Sequence, residues 1–193
     1  MPLKMQAFLL LSLISAGIST GQASERFEMP GKPYSVIISG TPDCAAHQDE
    51  TPIGTINRHA CVYYDSGLGG GYTFEYFSLP VEPEASKAQH VLMGAATGAA
   101  QATNSEIIRE REIQIDGHPA LEVLLLTRSK GYLTHARYVL VGRDLIRISV
   151  DGGKRIHDSP NTPSFLESLL LSDNSVQDAP NNSFKPTPLR GAA

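Results

Sequence analysis

From Glu106 to Val150 the chain alternates short strand-like segments with turns too tight for anything but a return in the opposite direction. Glu106 to Ile115 alternates in polarity, Asp116-Gly117 turns, and His118 to Arg128 follows with the apolar run Leu121 to Leu126 broken by Glu122. Ser129-Lys-Gly131 turns again, Tyr132 to Val141 makes another strand, and Gly142-Arg-Asp144 returns the chain into Leu145 to Val150. Asp-Gly and short Gly-containing connections are hairpin signals, and a parallel crossover needs a dozen or more residues. The segment therefore predicts an antiparallel meander.

Upstream the same logic gives more strands. Phe27-Glu-Met-Pro-Gly-Lys-Pro33 is a Pro/Gly-rich opening, and Tyr34 to Ser39 is a first strand. Gly40 to Thr51 is polar and turn-rich and is expected to be a loop. Gly54 to Asp65 alternates through Ile56, His59, Cys61 and Tyr63, Ser66 to Gly71 turns, and Tyr72 to Phe77 alternates strictly. Then the period changes: Glu84 to Ala102 places Ala, Val, Leu and Met at helical spacings. Its small residues, Gly94, Ala95, Ala96, Gly98, Ala99 and Ala100, predict close packing of a helix on a sheet. Gly152 to Thr162 reads as a polar loop, and Thr162-Pro163 as the cap of a short helix through Phe165, Leu166 and Leu169. The expected class is α+β: one antiparallel sheet of about six or seven strands with helices packed against it.

The two ends read differently. Met1 to Lys4 is basic, Ala7 to Ile18 is apolar, and Gly21-Gln22-Ala23 offers small residues for a signal peptidase. Residues 1–23 are thus expected to be a signal peptide cleaved after Ala23, with residues 24–172 as the domain in the periplasm or outside the cell. The apolar run is too short to span a bilayer, so no membrane span is expected in the mature chain. Asp173 to Ala193 is rich in Asn, Ser, Pro and Asp without periodicity, the composition of a disordered tail.

Charge and cysteine content narrow the function classes. The net charge is −4 with acids and bases interspersed, which argues against a phosphate-backbone partner and hence against nucleic acid. The two cysteines, Cys44 and Cys61, are expected to be oxidised to a disulfide outside the cytoplasm. The competing arrangement is a tetrahedral metal set of Cys44, His47, His59 and Cys61, although neither half has finger spacing. No catalytic or cofactor-binding residue is assigned. Gly67 to Gly71 precedes a strand where a phosphate cradle needs a helix, and no Gly-x-Ser-x-Gly elbow occurs. His118 reads as a turn residue and His135 as one of a cross-strand pair, while Arg109, Glu110, Arg111 and Glu112 form a solvated face. Lys154, Arg155 and His157 form a small basic loop.

Four segments in sequence order carry a resemblance: Phe27-Glu-Met-Pro-Gly-Lys-Pro33, Ile115-Asp-Gly-His-Pro119, Ala136-Arg-Tyr-Val-Leu-Val-Gly142 leading into Leu145 to Val150, and Phe165-Leu-Glu-Ser168. In these the chain resembles the PsbP-like family, which includes the extrinsic oxygen-evolution protein of photosystem II and MOG-type Ran-binding proteins. The resemblance implies a PsbP-like α/β sandwich and no catalytic signature. The tail Asn181 to Ala193 looks like a translated integron recombination site, which implies an accessory role in a Gram-negative bacterium. Together these readings predict an exported, non-enzymatic accessory or binding module for a periplasmic protein or small ligand. The alternative is a secreted enzyme, possibly metal-dependent.

Overall fold

The computed structural model describes residues 25–51 and 54–171; the expected leader, its cleavage site and the tail after residue 172 lie outside them. Seven strands form one antiparallel sheet in the order β3-β4-β5-β9-β8-β7-β6. They are β3 (Asp43–Thr51), β4 (Gly54–Asp65), β5 (Gly70–Ser78), β6 (Glu106–Ile115), β7 (His118–Thr127), β8 (Tyr132–Val141) and β9 (Asp144–Gly152). The expected meander is present as two meanders, β3 to β5 and β6 to β9. A crossover through α1 (Ala88–Ala102) separates them, and pairing of β9 with β5 seams them at the sheet centre. The helix carries the chain from β5 to the far edge, so β9 comes home beside β5.

A second, three-stranded sheet adds to that plan: β2 (Tyr34–Ile38) lies between β1 (Glu25–Glu28) and β10 (Leu170–Leu171). With α2 (Lys154–His157) and α3 (Asn161–Glu167) it accompanies one face of the large sheet. There Val36, Phe74, Ile148, Ile156, Phe165 and Leu166 are buried in one cluster, and the Tyr72 ring meets Phe165 edge-on at 5.2 Å. The opposite face receives α1, which buries Ala88, Leu92, Ala96 and Ala100 among Leu121, Val123, Ala136 and Tyr138. The i, i+4 spacing sets these four on one helix stripe. Alanine at three of them supplies the close approach expected of small residues. Gly94 and Gly98 do not contribute: a Cβ at either would meet nothing within 4 Å.

Two expected loops are ordered elements. Residues 43–51 form the edge strand β3, whose side chains from Asp43 to Gln48 are exposed. A solvated edge strand has no core face to bury, so its sequence shows no hydrophobic period to read. The polar stretch after Gly152 contains α2, anchored by fully buried Ile156. Thr162 does not cap α3 from outside; it sits inside the first turn, and its buried hydroxyl donates to the Ile156 carbonyl at 2.6 Å. The glycine cluster is a turn into β5, as its context suggested. Gly70 also has a packing reason: a Cβ there would come within 2.6 Å of the Asp151 carbonyl oxygen and 2.7 Å of Ile156.

Cys44 and Cys61 stand directly opposite each other on β3 and β4, with Cα atoms 4.0 Å apart, and are joined by a disulfide. The bond clips an edge strand that otherwise has only one ladder. Reduction, or replacement of both cysteines by serine, is expected to lower stability by about 3 kcal/mol through the entropy of the loop it closes. A denaturant midpoint measured with and without reductant checks this, with β3 amides expected to exchange first.

Candidate functional site

The helix α1 covers the β6-β7-β8 half of its face and leaves the β4-β5-β9 half partly open. Between them lies a groove of about 580 Å³. Its helix wall is Val91, Ala95, Gly98, Ala99, Ala102 and Thr103, and its sheet wall includes Ile56, Phe77, Leu79 and Leu145. Mostly apolar walls with a few placed polar groups are the usual make-up of a small-molecule pocket.

Its polar floor comes from register. Glu75, Arg147 and Tyr138 are directly opposite one another on β5, β9 and β8, so their side chains share the α1 face. Glu75 is 3% exposed, and its Oε1 lies 2.5 Å from Nε of Arg147. Burial pushes the Glu75 carboxyl up, and the charges of Arg147 and Arg58 offset this only in part. For Arg147 burial is the largest influence and would depress the guanidinium pKa, but Glu75, Tyr138 and Asp151 together outweigh it and the net direction is upward. Tyr138 is 2% exposed, and burial raises its phenol. Its oxygen lies against the Arg147 guanidinium, while its hydrogen, like Nε of Arg58, meets no acceptor among the described residues. Farther along the same face Asp151 accepts from the hydroxyls of Thr134 at 2.6 Å and Ser149 at 2.9 Å.

A second charged cluster occupies the other face. Glu122 accepts from Arg137 Nε at 2.8 Å and Arg111 Nη2 at 3.2 Å, and His135 Nε2 lies 3.6 Å away. Arg137 also donates to the Leu166 carbonyl at 2.7 Å, tying β8 to α3. Burial would raise the Glu122 carboxyl, but Arg137, with His135 and Arg111, holds it below the ordinary range. His135 is pulled down by burial, against the pull of Glu122. Both shifts have the same consequence. The folded state prefers the deprotonated form, so their stabilisation is complete above the unfolded values, 6.5 for His135 and 4.5 for Glu122. It is lost as pH falls through the lower folded values. Stability is therefore expected to decline in two stages on acidification, and His135→Gln to flatten the stage just below 6.5. Denaturant melts across a pH series test it; an unchanged upper stage refutes it.

The alternative metal set is not brought together. Alternation on β3 puts His47 opposite Arg58, on the α1 face, while Cys44 pairs with Cys61 on the other. Both sulfurs are joined in the disulfide, and His59 stacks on Tyr76 with centroids 4.8 Å apart. Among the described residues no cluster of three or more His, Cys, Asp or Glu could hold a metal ion. Of the other sequence candidates, Arg109 to Glu112 are exposed on edge strand β6, with Arg111 reaching Glu122. His135 stands in register with Leu124 and Val150 and reaches Glu122 on the diagonal, not as a directly opposed pair. His157 sets Nε2 3.0 Å from the Leu133 carbonyl, and Lys154 pairs with Asp158, so the basic turn is engaged locally. The groove floor itself escaped the sequence reading. The signal available was a lone arginine inside Leu145-Ile-Arg-Ile-Ser-Val150, because a charge in the middle of a buried strand needs an opposite charge in register.

No protein-family model matches the chain. No curated protein matches it closely enough to count as a relative. Among solved structures it is similar to the solution structure of cyanobacterial PsbP (CyanoP) from Synechocystis sp. PCC 6803. The TM-score is 0.51 at 12% identity, over 84% of this chain and 99% of that one. The fold is PsbP-like. No helix among the described residues is long and apolar enough to cross a membrane.

Proposed function

We propose that the chain is an exported accessory module, non-enzymatic, which receives a periplasmic protein or a small ligand in the groove between α1 and the sheet. The observation that carries this reading is the groove itself: apolar walls over a floor that combines an enclosed ion pair with unspent hydrogen-bonding groups. The PsbP-like fold supports a non-catalytic role, and a disulfide on an edge strand supports work in an oxidising compartment. The expected leader supplies the route. A second reading, a secreted enzyme, draws on Glu75, since a carboxyl with raised pKa beside a cleft is what general acid catalysis uses. The accessory reading takes precedence because Arg147 holds that carboxylate in an ion pair at 2.5 Å.

Gly98→Trp tests the reading, because the position lines the groove and a Cβ there meets nothing within 4 Å. Native mass spectrometry of the protein recovered from periplasm is expected to show the processed form with an additional bound mass. The Gly98→Trp variant, with unchanged thermal unfolding, is expected to lack that mass. Retention of the precursor in the cytoplasm, or identical spectra for both proteins, defeats the proposal.

A further inference from the structure

We infer that the groove is selective for a single-chain amphipathic carboxylate, with its head on the floor and its tail along the apolar sheet wall; this rests on the groove being the binding site. The chemistry of the floor gives the head group. Three charged residues line the groove: Arg58, Glu75 and Arg147. Glu75 is the most enclosed and is already engaged by Arg147 at 2.5 Å. What remains without an acceptor is Nε of Arg58 and the hydrogen of the Tyr138 hydroxyl, whose oxygen faces Arg147. A guanidinium only donates. The Tyr138 oxygen stands beside Arg147, which has no lone pair to accept with, so the phenolic hydrogen has no protein acceptor there. Both open valences are therefore donors, and enclosed donors without acceptors are costly. The complementary head is an acceptor, and beside two guanidinium groups an anionic one. Asp151, the next carboxylate along this face, is occupied by Thr134 and Ser149 and does not line the groove. The tail follows from Ile56, Phe77, Leu79 and Leu145, the apolar residues of the sheet wall in the same groove.

Tyr138 is the discriminating residue. It is 2% exposed and packs in the core with α1, so Tyr138→Phe keeps the ring and removes only the donor. Calorimetric titration of the processed protein with decanoate, decyltrimethylammonium and decyl maltoside, each below its micelle concentration, separates the outcomes. Decanoate is expected to bind at least about tenfold more tightly than the other two. Tyr138→Phe is expected to remove about tenfold of that, the loss of one hydrogen bond to a charged group, with thermal unfolding little changed. Arg58→Gln, on partly exposed β4, is expected to act in the same direction. If all three probes bind alike and Gly98→Trp abolishes them, the groove reading stands and carboxylate selectivity falls. If no probe binds and native spectra show no added mass, both fall. A concentration-dependent dimer dispersed by Gly98→Trp assigns the groove to a second copy and overturns the inference.

Discussion

Asp144→Ala is expected to destabilise the fold by about 3–5 kcal/mol, the cost of removing one member of a buried charged network. Asp144 is 6% exposed at the start of β9. Its Oδ1 accepts from the Ser78 hydroxyl at 2.7 Å, and its Oδ2 accepts from the Tyr34 hydroxyl at 2.9 Å and from Lys32 Nζ. The same ammonium lies 5.0 Å above the Tyr76 ring. One carboxylate thus joins the turn before β2, β2 itself and β5, which makes it the polar rivet between the small sheet and the large one. Alanine removes the acceptor and leaves Lys32 and the Tyr34 and Ser78 hydroxyls without it. Asp144→Asn retains an acceptor of the same shape and is expected to cost clearly less. Urea unfolding followed by circular dichroism measures both, with hydrogen exchange reporting whether β1, β2 and β10 open first. A change below about 1 kcal/mol for alanine would show that the two sheets are held by apolar packing alone.

Much of this architecture was legible because its cause is local. Every hairpin from β6 to β9 is announced by its own turn residues, and the strands between them begin and end where Asp116-Gly117, Gly131 and Gly142 require. The helix α1 was equally plain, since Leu92, Ala96 and Ala100 fall on one stripe. What could not be read is what depends on the partner across the sheet. Residues 43–51 form a strand because β4 offers a ladder and the disulfide holds it there, causes that leave no periodicity in the edge strand. Likewise Tyr72 to Phe77 suggests one buried and one wet face, which would send Glu75 to solvent. Seaming β5 to β9 makes β5 central, between β4 and β9, and Glu75 is enclosed opposite Arg147. Asp144 looked like part of a turn for the same reason: its partners Lys32, Tyr34 and Ser78 come from distant parts of the chain. The sequence-level reading of alternation is thus reliable for which residues share a face, and silent about whether that face is dry.

The Glu75–Arg147 pair gives the second large effect, and its pattern across three variants is more informative than any one of them. Glu75→Leu leaves a guanidinium buried without its anion and is expected to cost about 3–5 kcal/mol. Arg147→Met leaves the carboxylate instead, and a carboxyl can escape by binding a proton where a guanidinium cannot release one. Its folded pKa, already raised by burial, rises further once Arg147 is gone. The folded state then holds its proton at higher pH than the unfolded chain does. Stability falls as pH rises from the unfolded value of 4.5 through the folded one, and returns on acidification. Arg147→Met is therefore expected to gain stability relative to the parent as pH falls from neutrality, against the trend set by Glu122 and His135. The double variant Glu75→Leu/Arg147→Met, apolar on both sides, is expected to unfold within about 1 kcal/mol of the parent or above it, since buried pairs are commonly replaceable by packed apolar groups. Such recovery would mean that the pair is not kept for stability, leaving its place at the groove floor as the reason for it. If the double variant is instead as damaged as the sum of the single ones, the two residues act independently and the floor is merely packed structure.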